Sequence, residues 1–231
     1  HLARDSSGIK NACGMEISVK NYIGNIELEQ VLPKEIEKRS FEIITEELKG
    51  RTFPKDIEPV VKRAIHTSAD FDYADNLCFS DGVVDIIKDA IRSGACIVTD
   101  TQMAKSGINK KILASHGGEV YCFMSDEDVA IEAAERKLTR AAISMEKTCS
   151  IDKKLIFAIG NAPTALVELY ELIKEDKINP VAIIGVPVGF VNVVQSKELI
   201  MKAGVPYIVA RGRKGGSNVA AAICNAILYN M

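Results

Sequence analysis

Apolar and polar residues alternate in blocks along this chain, and the blocks predict a parallel sheet covered by helices. Five short runs are continuously apolar and rich in β-formers, as expected of strands buried on both faces. They are 95–98, 120–124, 155–159, 181–184 and 207–210. Helical periodicity fills the segments between and after them, at 108–114, 126–144, 164–176, 196–203 and 217–228. The alternation predicts a three-layer α/β/α fold around a five-stranded, mainly parallel sheet.

The part of the chain before these strands has a different pattern. Helices are predicted at 33–49, at 55–65 and from an N-cap at Asp81 to position 91, so this part is expected to cover a face or edge of the sheet. Residues 1–14 are interpreted as a vector-derived leader, before a strand-like segment that opens at Met15. Because no linker or repeat interrupts residues 15–231, they are predicted to form one domain.

Composition excludes several classes of function. A net charge of −2, 6% aromatic residues and no tryptophan argue against a nucleic-acid partner. The longest apolar stretch, 181–194, contains glycine and proline and is shorter than the ~20 residues of a membrane span, so no membrane partner is expected. The six cysteines form no Cys-x-x-Cys motif and indicate free thiols in a reducing cytosol, hence a cytoplasmic protein.

Glycine, small polar and basic residues are concentrated where the predicted strands end. Open parallel sheets bind ligands at the carboxyl ends of their strands, so the site is expected at this edge. The segments concerned are 99–101, 125–126, 160–163, 185–189 and 211–218.

The sequence Arg-Gly-Arg-Lys-Gly-Gly-Ser-Asn at 211–218 is the segment best suited to an anion. Its glycines allow the backbone to approach a ligand, and the helix predicted to follow offers free N–H groups. The segment lacks the P-loop pattern, so it does not distinguish carboxylate from phosphate. A solvated turn is an equally good interpretation, and a phosphate- or nucleotide-binding enzyme stays open as an alternative.

His66 is the candidate for acid–base chemistry, because it stands where a helical pattern meets a polar break. Histidine titrates near neutrality, and Thr67, Ser68 or Asp70 could fix its tautomer. The alternative is a histidine that interacts only with the end of its helix. No histidine-rich metal motif, nucleophile elbow or dinucleotide fingerprint is present, so the residues alone indicate an α/β enzyme or binding protein for a small anion.

Several ordered segments resemble one family, the precorrin-8X methylmutases, whose anaerobic-pathway members act on cobalt-precorrin-8. The resemblance runs from about residue 36 to 228. Its segments are Arg-Ser-Phe at 39–41, Ile-His-Thr at 65–67, Asp-Thr-Gln-Met at 100–103, Thr-Arg-Ala-Ala at 139–142, Gly-Asn-Ala-Pro-Thr at 160–164, Gly-Val-Pro-Val-Gly-Phe at 185–190, Ser-Lys at 196–197 and 211–217.

The resemblance implies a flavodoxin-like fold and a homodimer with its site near the subunit interface. It implies an isomerase of cobalamin biosynthesis that moves a methyl group from C-11 to C-12 of the corrinoid, giving cobyrinic acid or its cobalt-free equivalent. No organic cofactor and no protein-bound metal are implied, and cobalt, if present, comes with the substrate. A corrinoid carrier that retains and hands on the product is the alternative function.

The resemblance also implies roles for individual residues. His66 would protonate or hydrogen-bond the macrocycle, and Arg140, expected within the helix at 126–144, would be the active-site arginine. The other implied substrate-binding residues are Arg39, Thr101, Asn109, Asn161, Gly189, Arg211, Arg213, Lys214, Gly215, Gly216 and Ser217. The sequence departs from the family pattern at Asn109, where some members have threonine, at Gln195, where a glutamate is usual, and at Ala69, where some have glycine.

Overall fold

The computed structural model describes residues 21–23 and 25–231 and divides into two compact units, His1–Lys49 and Gly50–Met231. The proposed leader at 1–14 and the start of the strand-like segment at Met15 lie outside the described residues. The hypothesis of one domain over residues 15–231 stays a prediction.

The first unit contains a short hairpin and one long helix. Strands β1 (Asn21–Ile23) and β2 (Ile26–Leu28) pair antiparallel, and a 3-10 turn at Pro33–Glu35 leads into α1 (Ile36–Glu47). Arg39 lies on α1, with its Nε 2.6 Å from Glu29 Oε1. Its role in substrate binding stays a prediction.

The second unit contains the main sheet, ten α-helices and one 3-10 turn (Thr148–Ser150) among the described residues. Its strands are β3 (Leu77–Phe79), β4 (Cys96–Thr99), β5 (Val120–Tyr121), β6 (Leu155–Ile159), β7 (Ala182–Gly185) and β8 (Tyr207–Ala210). Its helices are α2 (Glu58–Ser68), α3 (Tyr73–Asn76), α4 (Val83–Arg92), α5 (Gln102–Gly107), α6 (Lys110–Ser115), α7 (Glu127–Arg136), α8 (Arg140–Lys147), α9 (Pro163–Lys174), α10 (Val193–Ile200) and α11 (Ser217–Tyr229).

The sheet order is β3-β8-β7-β6-β4-β5, and all neighbours are parallel except β3 and β8. The five predicted parallel strands are confirmed, and their order is the flavodoxin-like 2-1-3-4-5. The predicted strand count was wrong, because β3 adds a sixth strand at the edge. Three residues are too few to show alternation, and β3 is defined only by pairing with the distant β8, Leu77 opposite Ala210.

Helices cover both faces of this sheet. α11 packs against α2, α4 and α5, whereas α9 packs between α8 and α10 on the other face. The strands are apolar throughout because both of their faces are covered, and Phe157, Ile183 and Val209 are completely buried. The layered α/β/α architecture is therefore confirmed.

Two helix predictions need correction. The helix predicted at 126–144 is two helices, since Lys137 adopts a left-handed conformation (φ +55°) and Thr139 caps a new helix. Arg140 is consequently the first residue of α8 rather than a mid-helix residue. The cap of α4 is Gly82, with φ +63°, and not Asp81.

Candidate active site

The loops that follow β4, β6, β7 and β8 leave one edge of the sheet from adjacent strands. Between β4 and β6 the strand order reverses, because β5 lies outside β4 while β7 and β8 lie beyond β6. Ligands of open α/β sheets bind at such a reversal. The sequence predicts the site at this carboxyl edge, and its position there stays a prediction.

Asp100 fills the crevice at this reversal. Its completely buried carboxylate accepts hydrogen bonds from the N–H groups of Gly160 (2.8 Å), Asn161 (2.8 Å) and Ala162 (2.6 Å). Burial raises the pKa of Asp100, and the three N–H groups act in the opposite direction. The turn before α9 therefore binds the chain's own anion.

Thr101 and Ser217 are brought together by the fold. Their hydroxyl oxygens lie 2.7 Å apart, and the Thr101 hydroxyl also caps α5 by accepting from the Ala104 N–H. Gly160 makes this approach possible, since a Cβ there would lie 2.6 Å from the Cα of Ser217. The two residues connect the end of β4 to the start of α11.

A cleft of about 310 Å³ lies between α2, α5 and α11 and includes His66. His66 is exposed in the last turn of α2, and the Arg63 guanidinium lies 5.2 Å from the centre of the Tyr229 ring. Near His66, the Ser68 hydroxyl donates to the Ala64 carbonyl and the Asp70 carboxylate pairs with Lys214. Both side chains therefore have partners besides the imidazole of His66. The polar lining residues are Arg63, His66, Thr67, Asn218, Asn225 and Tyr229.

The far end of this cleft is built by Asn225. Its amide donates to the Gly107 carbonyl (2.8 Å) and accepts from the Asn109 N–H (2.8 Å). The Asn109 side chain caps α6 by accepting from the Ile112 N–H, and its amide nitrogen lies 3.4 Å from the Tyr229 hydroxyl. Asn109 thus lies next to the cleft, because its side chain is close to Tyr229, which lines the cleft.

Two arginines of the loop 211–216 project from the carboxyl edge. Arg211 is exposed, with its Nε 3.4 Å from Glu198. The Arg213 guanidinium lies 5.4 Å from the centre of the Phe190 ring, and Phe190 is 80% exposed. Both charged groups are accessible to an anion.

Lys214 is bound to the chain's own carboxylates. Its amine lies 2.7 Å from Asp70 and 2.6 Å from Asp72. These pairs raise the pKa of Lys214 and lower the pKa of Asp70. Because Asp70 follows α2, Lys214 connects the basic loop to the segment next to His66.

The glycines of this loop serve a close approach between two backbones. A Cβ at Gly215 would overlap the Val186 carbonyl oxygen, and the Gly216 N–H donates to the same oxygen (2.9 Å). The Gly189 N–H in turn donates to the Arg213 carbonyl (3.1 Å). The Gly216 N–H is therefore engaged within the protein, which narrows the set of groups expected to bind substrate.

Arg140 and Asn161 are exposed at the starts of neighbouring helices. Thr139, the cap of α8, donates to the Thr164 hydroxyl of α9 at 2.8 Å, which places Arg140 near the turn that contains Asn161.

Lys197 and Asp100 received no role from the sequence, although each has a recognisable signal. Lys197 is completely buried, and its amine donates to the carbonyls of Gly212 (2.8 Å) and Lys214 (2.9 Å). It lies on the buried face of α10 together with Val193 and Ile200, a helical spacing that marks a lysine at a core position. Asp100 directly follows a strand whose residues are all buried.

The described residues hold no group of three or more histidine, cysteine or acidic side chains arranged for a metal ion. None of their helices combines the length and apolarity needed to cross a membrane. The five cysteines among them are free thiols.

The strand order and the cleft define a flavodoxin-like α/β protein with a histidine and exposed arginines near one edge of its sheet. The precorrin-8X methylmutase family model matches residues 35–230. The chain is 48% identical over 197 residues to the cobalt-precorrin-8 methylmutase of Priestia megaterium, covering 85% of this chain and 88% of that protein. It is 42% identical to the Salmonella typhimurium protein of the same name, covering 86% and 96%.

A solved structure, the precorrin-8x methyl mutase of Thermus thermophilus, superposes with a TM-score of 0.77 at 36% identity, covering 84% of this chain and 96% of that one. The chain belongs to the precorrin-8X methylmutase family. It is accordingly a methylmutase, an isomerase of cobalamin biosynthesis.

Proposed function

We propose that this protein moves one methyl group from C-11 to C-12 of cobalt-precorrin-8, or of cobalt-free precorrin-8X, giving cobyrinic or hydrogenobyrinic acid. Curated relatives carry the names of both substrates. In this shift the C-11–methyl bond breaks, the C-12–methyl bond forms and the conjugated double bonds move within the same molecule. Atoms and electrons balance without a co-reactant, so the proposal includes no organic cofactor, and any cobalt is carried by the substrate.

The observation that carries the proposal is the position of His66 in the cleft beside α11. An acid aimed at the macrocycle would withdraw electron density from its conjugated system and favour migration. A hydrogen bond or a transferred proton would both act in this direction, and preorganised donors are effective where water is excluded. A bound macrocycle would cover the exposed imidazole and exclude water from it.

The acetate and propionate arms of the substrate end in carboxylates, which bind cationic side chains and backbone N–H donors. Arg211 and Arg213 are exposed at the carboxyl edge, and Arg140 is exposed at the start of α8. The first turn of α11 adds a helix N-terminus, which favours anions. Within the unit Gly50–Met231 the other residues proposed to bind substrate are Thr101, Asn109, Asn161, Gly189, Lys214, Gly215, Gly216 and Ser217. A substrate-binding role for Arg39 is proposed from the resemblance alone.

The test is the visible absorption spectrum of the purified protein incubated anaerobically with cobalt-precorrin-8, beside His66→Ala. The wild type is expected to convert the spectrum to that of cobyrinic acid, and the variant to lose a factor of about 10²–10⁴ in kcat. His116→Ala, at the other described histidine, is the matched control and should keep full activity. A wild type that retains the pigment on gel filtration without converting it would be a carrier instead.

We also propose a cytoplasmic homodimer whose site lies near the subunit interface. Exposed apolar side chains support such an interface, since Phe190, which lies against Arg213, and its neighbour Val191 are 80% and 79% exposed. Free thiols support a reducing compartment. Light scattering should give twice the chain mass of 25.1 kDa, and Phe190→Glu should lower this mass toward that of one chain.

A further inference from the structure

The buried amine of Lys197 forms hydrogen bonds from the protein interior to the loop that carries Arg211 and Arg213. The Lys197 amine donates to the carbonyls of Gly212 and Lys214 and is completely shielded from solvent. Within the part of the chain that the structure describes, Lys197 forms no ion pair. Burying an amine without a counter-ion is costly, so a neutral side chain would be the cheaper way to fill this space.

The direction of the loop carbonyls explains what this cation achieves. The carbonyls of Gly212 and Lys214 point toward Lys197, whereas the intervening carbonyl of Arg213 accepts from the Gly189 N–H. Successive carbonyls therefore alternate in direction, and the Arg213 side chain projects outward over Phe190. If the Lys197 amine were absent, we expect the carbonyls of Gly212 and Lys214 to turn toward water. This rotation of the backbone would change the direction of the Arg211 and Arg213 side chains.

We propose that Lys197 is a positioning residue for the methyl migration, whose amine fixes the backbone of residues 212–214 so that Arg211 and Arg213 meet the carboxylate arms of the substrate. This inference rests on the proposed function. Lys214 extends the arrangement sideways, because its amine binds Asp70 and Asp72 in the segment after His66. The loop is thus fixed both to the sheet edge and to the helix that carries the proposed acid.

Burial lowers the pKa of Lys197 to about 8. At pH 7 most molecules therefore have a protonated Lys197, whose ammonium group offers three hydrogen-bond donors. Lys197 lies on the buried side of α10 and does not line the cleft that contains His66. Its effect on the reaction is consequently an effect on substrate binding. Loss of binding that is equal in ground state and transition state raises KM and leaves kcat unchanged.

The experiment compares steady-state conversion of cobalt-precorrin-8 by the wild type, Lys197→Met and Lys197→Arg. Methionine keeps the length of the side chain and removes the donors, so KM is expected to rise about tenfold or more with kcat within about threefold. Arginine keeps charge and donors in a planar group, and an intermediate KM is expected. Lys202→Met, at an exposed lysine just after α10, is the control and should match the wild type.

Each outcome is decisive. A Lys197→Met protein with wild-type KM, or with a fall in kcat alone, overturns the inference, because a purely structural lysine would reduce the active fraction and leave KM unchanged. If Lys197→Met does not fold, Lys197→Arg decides: a raised KM with unchanged kcat supports positioning, and a wild-type KM refutes it. Failure of the wild type itself to convert the substrate would refute the proposed function rather than the role of Lys197.

Discussion

Two strand-to-helix loops at the same edge of the sheet are each held by a buried charge, but the charges have opposite signs. The turn before α9 surrounds the carboxylate of Asp100 with the N–H groups of residues 160–162. The loop before α11 instead turns two carbonyls toward the amine of Lys197. In the first turn the backbone N–H donors are therefore engaged inside the protein, whereas in the second loop the backbone carbonyl acceptors are engaged.

This difference decides where a ligand anion can bind. In many open α/β sheets an anionic ligand binds the N–H groups of the turn at the strand reversal. Here Asp100 occupies that turn, which argues against the phosphate- or nucleotide-binding alternative at this position. The loop at 211–216 keeps its arginines outside because its carbonyls are engaged below, so the substrate carboxylates are expected there.

Replacing Asp100 by asparagine is expected to have the largest effect on stability. The amide retains one acceptor oxygen but places an NH2 group against backbone donors, leaving buried N–H groups without partners. The N–H groups of Asn161 and Ala162 share one carboxylate oxygen, so the free energy of unfolding should fall by about 4 kcal/mol if both lose their acceptor. Urea denaturation measures this change, and Asp152→Asn, at an exposed aspartate, should stay within about 0.5 kcal/mol of the wild type.

The pH dependence of stability should expose the cost of Lys197. Its pKa is about 8 in the folded protein and about 10.4 in an unfolded chain. Between these values the unfolded chain binds more protons, so stability rises with pH. Relative to Lys197→Met, the wild type should gain about 3 kcal/mol between pH 7 and pH 11. Identical pH profiles in urea denaturation would show that the amine is not desolvated.

Asp70→Asn tests the lateral connection of the basic loop. Its carboxylate has a lowered pKa because Lys214 bonds to it, so its contribution is present above about pH 4 and is lost as pH falls through the folded pKa. At pH 7 the variant should be less stable by about 1 kcal/mol, since the pair is partly solvated. Denaturation in strong acid should give no difference between variant and wild type, and a constant difference would contradict this origin.

Ala69→Gly is expected to have the smallest effect, and it is stabilising. Ala69 ends α2 in the left-handed conformation, with φ +54° and ψ +28°, a conformation that glycine adopts without the Cβ penalty. The gain should be about half a kcal/mol after the greater freedom of glycine in the unfolded chain is counted. Ala134→Gly, on the exposed side of α7, should destabilise instead, and thermal unfolding of both variants checks the opposite signs.

The candidate site was predicted from the sequence only in part. The residues His66, Thr101, Ser217 and Arg213 could be selected from motifs, and the fold places Thr101 against Ser217. The residues that support the basic loop could not be selected in this way. Lys197, for example, lies on α10 and donates to Gly212 and Lys214 in the loop after β8, a contact that no local motif indicates. The resemblance gives Lys214 a substrate-binding role, which stays a prediction, and the fold adds the ion pairs of its amine with Asp70 and Asp72.

The sequence by itself determined the parallel sheet, the helices between its strands and the edge at which the site is proposed. Continuous apolar runs and helical periods are local patterns, and the carboxyl ends of parallel strands necessarily lie at one edge. Only the tertiary structure decided the edge strand β3, the break before Arg140 and the burial of Asp100 and Lys197. Each of these depends on contacts between residues far apart in the chain, whose energies no local pattern contains.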